Sequence, residues 1–202
     1  GAEADPIYLS SLTVSALISE GVRLYDAGQF EESPRVYEAA VARADGKQLR
    51  VFNGLYLSNK QLNRNEAAEH AFGQIVALGL STNSLAFKFL FKPASTDFLA
   101  DPKISGPYDM WLRVLAKEIA GSSHCVTILG HSSRTGSEQV NERLSLARAT
   151  TMQPKLEAAT PALTGRLQPL GMGFRENLIG TGTDDLRDAL DRRVEFRVNS
   201  CS

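Results

Sequence analysis

Apolar positions recur at helical spacing from the start of the chain to about Ser81, and the rhythm then changes. Over 13–26, Leu17, Gly21 and Leu24 fall at i, i+4 and i+7, which puts them on one face of an α-helix. Gly28 ends that helix. A second helix is predicted from Phe30 to about Ala44. It has Tyr37, Ala40 and Val41 on one side and Pro34 in its first turns, where proline costs least. Leu49–Ser58 and Glu66–Leu78 read as two more helices, with the turn Gln61–Asn65 between them.

The two hairpins echo each other. Gly21 answers Gly54, Leu24 answers Leu57 and Ala39 answers Phe72, each pair separated by 33 positions. A helix-turn-helix unit of that period resembles the tetratricopeptide repeat, in which a small residue on the first helix lets the second approach closely. Two units are fewer than the three or so that usually bury a continuous core, so the block is expected to lean on an extra element.

The character changes near Gly79–Ser84. Phe87–Phe91 is a compact aromatic run read as a strand, ended by Pro93. Residues 107–120 form a predicted helix with Tyr108, Trp111, Leu112, Leu115 and Ile119 on its apolar stripe. Cys125–Gly130 is a second strand, followed by the polar loop His131–Gly136. A long helix is predicted from about Ser137 to Ala158, with Val140, Leu144, Ala147 and Thr151 inward. Leu167–Gly171 reads as a short strand. The loop Gly180–Asp185 feeds a short helix, with Asp184 as its cap. Arg193–Val198 alternates with period two, as a half-exposed strand does. The β-α-β-α-β-(α)-β order implies an α+β domain with helices on one face of a single sheet. Residues 12–81 are thus expected to form helical repeats and residues 86–202 a separate α+β domain.

Composition narrows the function classes. The 202 residues are 43% hydrophobic and 22% charged, and 22 Lys+Arg against 23 Asp+Glu give a net charge of −1. That balance excludes nucleic-acid binding through overall charge and an acidic disordered chain. No apolar run approaches the roughly 18 residues of a spanning helix, and no basic-then-apolar leader opens the sequence. The two cysteines, Cys125 and Cys201, are either unrelated thiols or one disulfide. Metal ligation is not expected, since His124 beside Cys125 lacks further ligands. No catalytic pair stands out. His131 with Ser132 or Ser133 lacks a nucleophile elbow, and Gly180–Thr183 is not followed by the Lys-Ser/Thr of a phosphate loop. No enzyme activity and no cofactor are expected.

Three stretches carry a family likeness. They are Ile128-Leu-Gly-His-Ser-Ser-Arg-Thr-Gly136, Asn141-Glu-Arg-Leu-Ser-Leu-Ala-Arg-Ala149 and Leu190-Asp-Arg-Arg-Val-Glu-Phe196. In order and spacing they resemble the OmpA C-terminal-like domain, the noncovalent peptidoglycan-binding module of bacterial envelope proteins. The resemblance covers roughly residues 86–200. It implies a mixed four-stranded sheet of order 1-4-2-3, with the last strand antiparallel to its neighbours. Arg192 would then face the His131–Gly136 loop, and Cys201 would lie near Cys125, so that a disulfide suited to the periplasm becomes plausible. Peptidoglycan is the implied partner. The implied location is the periplasm, in association with the outer membrane of a Gram-negative bacterium. An envelope protein recruited by the helical repeats is a second expected partner.

The resemblance also implies a site. Family members hold the meso-diaminopimelate of the stem peptide, which carries a carboxylate and an ammonium. An arginine fork suits the carboxylate. The expected ligand-binding residues are Ser132, Ser133, Asn141, Leu144, Arg148 and Arg192. Asn141 and Arg148 share one helical face, and Arg148 leans back toward the 131–136 loop. Ser133 stands where the family has aspartate, fifteen residues before the arginine, so the partner for the ligand ammonium is missing. Loss of one charge-assisted contact, about 1.5–3 kcal/mol, weakens binding roughly ten- to a hundredfold. Asp191, on the same rim, is the expected compensation. The alternative is a protein-interaction scaffold whose OmpA-like fold no longer binds peptidoglycan.

Overall fold

The computed structural model describes residues 5–180 and 186–201. Asp184 and the 181–185 part of the loop beginning at Gly180 lie outside them. Contacts divide the chain into two compact units, Gly1–Leu78 and Gly79–Ser202.

The first unit is helical. Its elements are α1 (Pro6–Ser10), α2 (Val14–Asp26), α3 (Ser33–Val41), α4 (Leu49–Gln61) and α5 (Asn65–Thr82), the last continuing into the second unit. The short α1 lies before the expected repeats. Asp5 caps it by accepting from the N–H groups of Ile7 and Tyr8. α3 begins three residues later than expected, because Phe30–Glu32 form a turn and Phe30 packs edge-on against Tyr25, with ring centroids 5.2 Å apart.

Tyr37 is the hub of this unit. A Cβ at Gly21 would stand 2.5 Å from its ring, and one at Gly54 would stand 2.2 Å away. The ring of α3 therefore wedges between α2 and α4 only because both facing positions lack a side chain. Burial raises the Tyr37 phenol above its ordinary pKa. The glycine pair thus keeps one role across the 33-residue offset. The leucine pair does not: Leu24 is fully buried, whereas Leu57 is 46% exposed and Leu55 takes the inward place on α4.

The second unit is α+β. It contains β1 (Phe89–Leu90), α6 (Pro102–Ser105), α7 (Tyr108–Ala120), β2 (His124–Gly130), α8 (Glu138–Ala159), β3 (Leu167–Gly171) and β4 (Arg193–Ser200). Short 3-10 segments occupy Pro161–Leu163 and Leu186–Asp191. The sheet order is β1-β4-β2-β3, as the sequence resemblance implies. β4 runs antiparallel to β1 and β2, and β2 and β3 are parallel. α7 and α8 pack on each other, and both contact β2.

β1 is shorter than the predicted Phe87–Phe91. The Leu90 N–H donates to the Tyr108 hydroxyl at 3.0 Å instead of extending a ladder. Phe91 pairs back onto Phe98 in an isolated bridge. The Phe87 ring joins an aromatic cluster with Phe89, Trp111 and Phe196.

The inward face of α8 also differs from expectation. Val140 is 49% exposed, and Leu144, Ala147 and Thr151 are only partly buried. The buried stripe is Asn141, Ser145, Arg148, Ala149, Met152 and Leu156. Its first half is polar, so apolar periodicity could not locate it. Cys125 and Cys201 are joined by a disulfide, with Cα atoms 5.0 Å apart.

Candidate functional site

Two glycines position the helix that carries most of the predicted site. Gly130 and Gly171 sit opposite each other at the ends of the parallel strands β2 and β3. A Cβ on Gly130 would lie 1.8 Å from the Ser145 carbonyl oxygen, and one on Gly171 would lie 2.8 Å from the Leu146 nitrogen. α8 therefore crosses the strand ends at backbone contact. Ser145 secures the crossing by accepting from the Gly173 N–H at 2.8 Å. The chain leaves β2 into the loop 131–136 directly beside the first turns of α8. Ser137 caps that helix by accepting from the Val140 N–H. Asn141 holds the loop's end, its Nδ2 donating to the carbonyls of Thr135 at 2.6 Å and Ser137 at 2.9 Å.

Arg148 lies two turns further on and is fully buried. Nε donates to the Ser95 carbonyl, Nη1 to that of His131 and Nη2 to that of Lys92, each at 2.9 Å. Its guanidinium also lies 5.5 Å from the centre of the Phe91 ring. Arg192, only 1% exposed, approaches from the start of β4 and donates from Nε to the Phe91 carbonyl at 3.2 Å. The two arginines thus converge on the carbonyls of consecutive residues, Phe91 and Lys92.

Ser132 and Ser133 are buried in the loop. The Ser132 backbone is fixed from both sides, its N–H donating to the Gly173 carbonyl and its carbonyl accepting from Asn177 Nδ2, both at 2.9 Å. Its hydroxyl has no hydrogen-bond partner among the described residues. Leu144 is half-buried, one turn before Arg148.

Asp191 is engaged by the backbone of the chain before it. It is fully buried, and its carboxylate accepts from the backbone N–H groups of Leu178, Ile179 and Gly180. These bonds hold the 178–180 backbone against the residue just before Arg192.

A second group of charges was missed by sequence reasoning. Arg193 is 2% exposed and donates to Glu195 Oε2 at 3.2 Å and to the carbonyls of Leu190 and Glu176. His131 Nε2 lies 3.0 Å from Glu195 Oε1. The His131 imidazole, with help from Arg193 and against partial burial, holds the Glu195 carboxyl down at about 2. Alternation along β4 places Arg193 and Glu195 on one face. What stands opposite that face depends on the pairing of His131 with Arg193, which the strand pattern alone does not reveal.

The helical unit offers a different feature. An open groove of about 620 Å³ is lined by Pro6, Leu9, Arg35, Ala39 and Arg43 among others.

No protein-family model matches the sequence, and no curated protein matches it. Several solved structures are similar in part. The peptidoglycan-associated lipoprotein from Burkholderia pseudomallei is 20% identical with a TM-score of 0.48, over 58% of this chain and 95% of that one. The cell wall anchor of the T6SS from Pseudomonas aeruginosa is 25% identical with a TM-score of 0.42, over 55% and 76%. A putative MotB-like protein from Desulfovibrio vulgaris is 19% identical with a TM-score of 0.44, over 67% and 93%.

Proposed function

We propose that the α+β unit is a nonenzymatic envelope module that binds the peptidoglycan stem peptide noncovalently, through Ser132, Ser133, Asn141, Leu144, Arg148 and Arg192. The observation that carries this reading is the convergence of Arg148 and Arg192 on Phe91–Lys92, beside a loop whose buried Ser132 hydroxyl has no partner among the described residues. Guanidinium forks are the groups that match the carboxylate of diaminopimelate, once the carbonyls they now hold give way. The three sequence stretches that resemble the OmpA C-terminal-like family supply these residues. The Cys125–Cys201 disulfide suits the oxidising periplasm. Association with the outer membrane of a Gram-negative bacterium follows from the same resemblance. Among the described residues no helix is long and apolar enough to cross a membrane. The helical unit would recruit an envelope protein partner, and its groove beside Arg35 and Arg43 is the surface available for that.

A second reading has its own observation. Arg148 is fully buried and donates to three carbonyls. A ligand carboxylate reaches it only if the 92–95 or 131–136 segment moves. With Ser133 in place of a carboxylate, such an arginine also suits a protein-interaction scaffold that no longer binds peptidoglycan.

Calorimetric titration of a diaminopimelate-containing stem peptide into wild type, Arg148→Lys and Ser133→Asp separates the two. Binding by wild type that weakens about tenfold or more in Arg148→Lys supports the first reading. Silence in wild type with binding gained in Ser133→Asp supports the scaffold. Silence in both wild type and Ser133→Asp overturns stem-peptide binding altogether.

A further inference from the structure

Three ligand-type side chains from separate segments meet beside the loop that follows β2. They are His131, Glu195 on β4, and Glu176 between β3 and the Leu186–Asp191 turn. One donor atom of each lies within 4.8 Å of the others. His131 is 1% exposed, yet neither ring nitrogen has a hydrogen-bond partner among the described residues. Its Nε2 stands 3.0 Å from Glu195 Oε1, close but not aligned as a hydrogen bond. The nearest group to its Nε2 is thus a carboxylate, a second ligand type.

We propose that His131, Glu176 and Glu195 form a site for one divalent transition-metal ion of the Zn2+ type. The donor set is one imidazole nitrogen and two carboxylate oxygens. That mixture suits Zn2+ and its neighbours, whereas Mg2+ and Ca2+ favour oxygen alone. Two donors 3.0 Å apart subtend roughly 95° at an ion about 2.05 Å from each. Small side-chain rotations of the exposed Glu176 bring in the third donor.

The surroundings fit this use. Arg193 occupies Glu195 Oε2 at 3.2 Å, which leaves Oε1 for the ion. Its Nη2 also grips the Glu176 carbonyl at 3.0 Å, fixing the backbone that presents the third ligand. Arg193 Nη1 lies 3.9 Å from Asp191 Oδ1, so part of its charge is already countered. A metal-ligating imidazole is neutral, so two carboxylates against one guanidinium then favour a dication. Glu176 is exposed and Glu195 is 25% exposed, so an ion enters from solvent and keeps water in its remaining positions. The site lies outside the residues assigned to the stem peptide, and its test uses no stem peptide.

Titration of ZnCl2 into the full chain at neutral pH, followed by calorimetry, tests the proposal with wild type, Glu176→Gln and Glu195→Gln. The expected result is one ion per chain, bound at least about tenfold more weakly by each variant, and no heat from MgCl2 at the same concentration. Glu176 holds Arg193 through its backbone carbonyl, so Glu176→Gln leaves the fold in place and carries the test if Glu195→Gln is destabilised. Two results overturn the site: no Zn2+ binding by wild type, or binding undiminished in Glu176→Gln, which would assign the ion to other groups such as His70 or His124.

Discussion

The two units bury polar groups in different ways. The helical unit hides neutral ones, Ser33, Ser58 and Asn59. Their partners are close at hand: Ser58 and Asn59 donate to carbonyls one turn back, and Ser33 donates to Gly21 on the neighbouring helix. The α+β unit hides charges, Arg148, Arg192, Arg193, Asp188 and Asp191. A buried charge needs several hydrogen bonds to offset its lost hydration. One turn of helix cannot supply them, so Arg148 gathers the carbonyls of Lys92, Ser95 and His131 from two distant segments. Helix packing in the first unit rests on shape, with Tyr37 between Gly21 and Gly54. Loop placement in the second rests on charge, and the loops so placed are those that carry the candidate site.

Removing a charge should therefore cost more than disturbing a shape. Arg148→Met leaves three carbonyls to find new partners, and a loss of about 3 kcal/mol or more is expected. Trp111 is the only tryptophan and lies in the α+β unit, so the urea midpoint of its fluorescence reads this change. A shift equivalent to under about 1 kcal/mol would break the comparison.

Gly54→Ala should cost less, about 1–3 kcal/mol, because its Cβ overpacks the Tyr37 ring. Thermal unfolding followed by far-UV circular dichroism reports it. In Tyr37→Leu the added methyl no longer meets the ring, so the double variant should lose less than the sum of the single losses. Strict additivity would show that the glycine is not there for Tyr37.

The last expected effect is at Glu195, and its signature is a change in the pH dependence of stability in acid. Its carboxyl lies at about 2 in the folded chain against an ordinary 4.5. A depressed carboxyl stabilises the fold fully above about pH 4.5 and loses that contribution as pH falls toward about 2. Glu195→Gln removes this dependence, so its stability should fall less steeply than that of wild type across that window. Identical slopes in urea unfolding at a series of acid pH values would show that Glu195 is not held by His131 and Arg193.

Much of the architecture was legible in the chain. Period two over Arg193–Val198 and the stripe Tyr108–Ile119 each located an element through one buried face, and the run Val126–Leu129 did so because it is buried along its whole length. Legibility failed where the buried face was polar. On α8 the inward Asn141, Ser145 and Arg148 resemble a solvent face, and the apolar Val140 and Leu146 point outward. β1 was overestimated because five aromatic-rich positions carry the same local signal whether they join a ladder or an aromatic cluster. Ser132, Ser133, Asn141, Leu144, Arg148 and Arg192 are candidates that the family resemblance names. Arg193, Glu195 and Glu176 are not, since no spacing along the chain links residues 131, 176 and 195.

The sequence by itself determined the local elements, the helical first block and α+β second block, and the glycines at 21 and 54 where helices must approach. These follow from periodicity and side-chain size, properties of neighbouring residues. Only the tertiary structure decided that Asp191 accepts from the 178–180 backbone. It alone set Arg148 among carbonyls and brought His131 against Glu195. Charges have long reach and few local rules, and their partners are fixed by strand register and helix crossing, which exist only once the chain has packed.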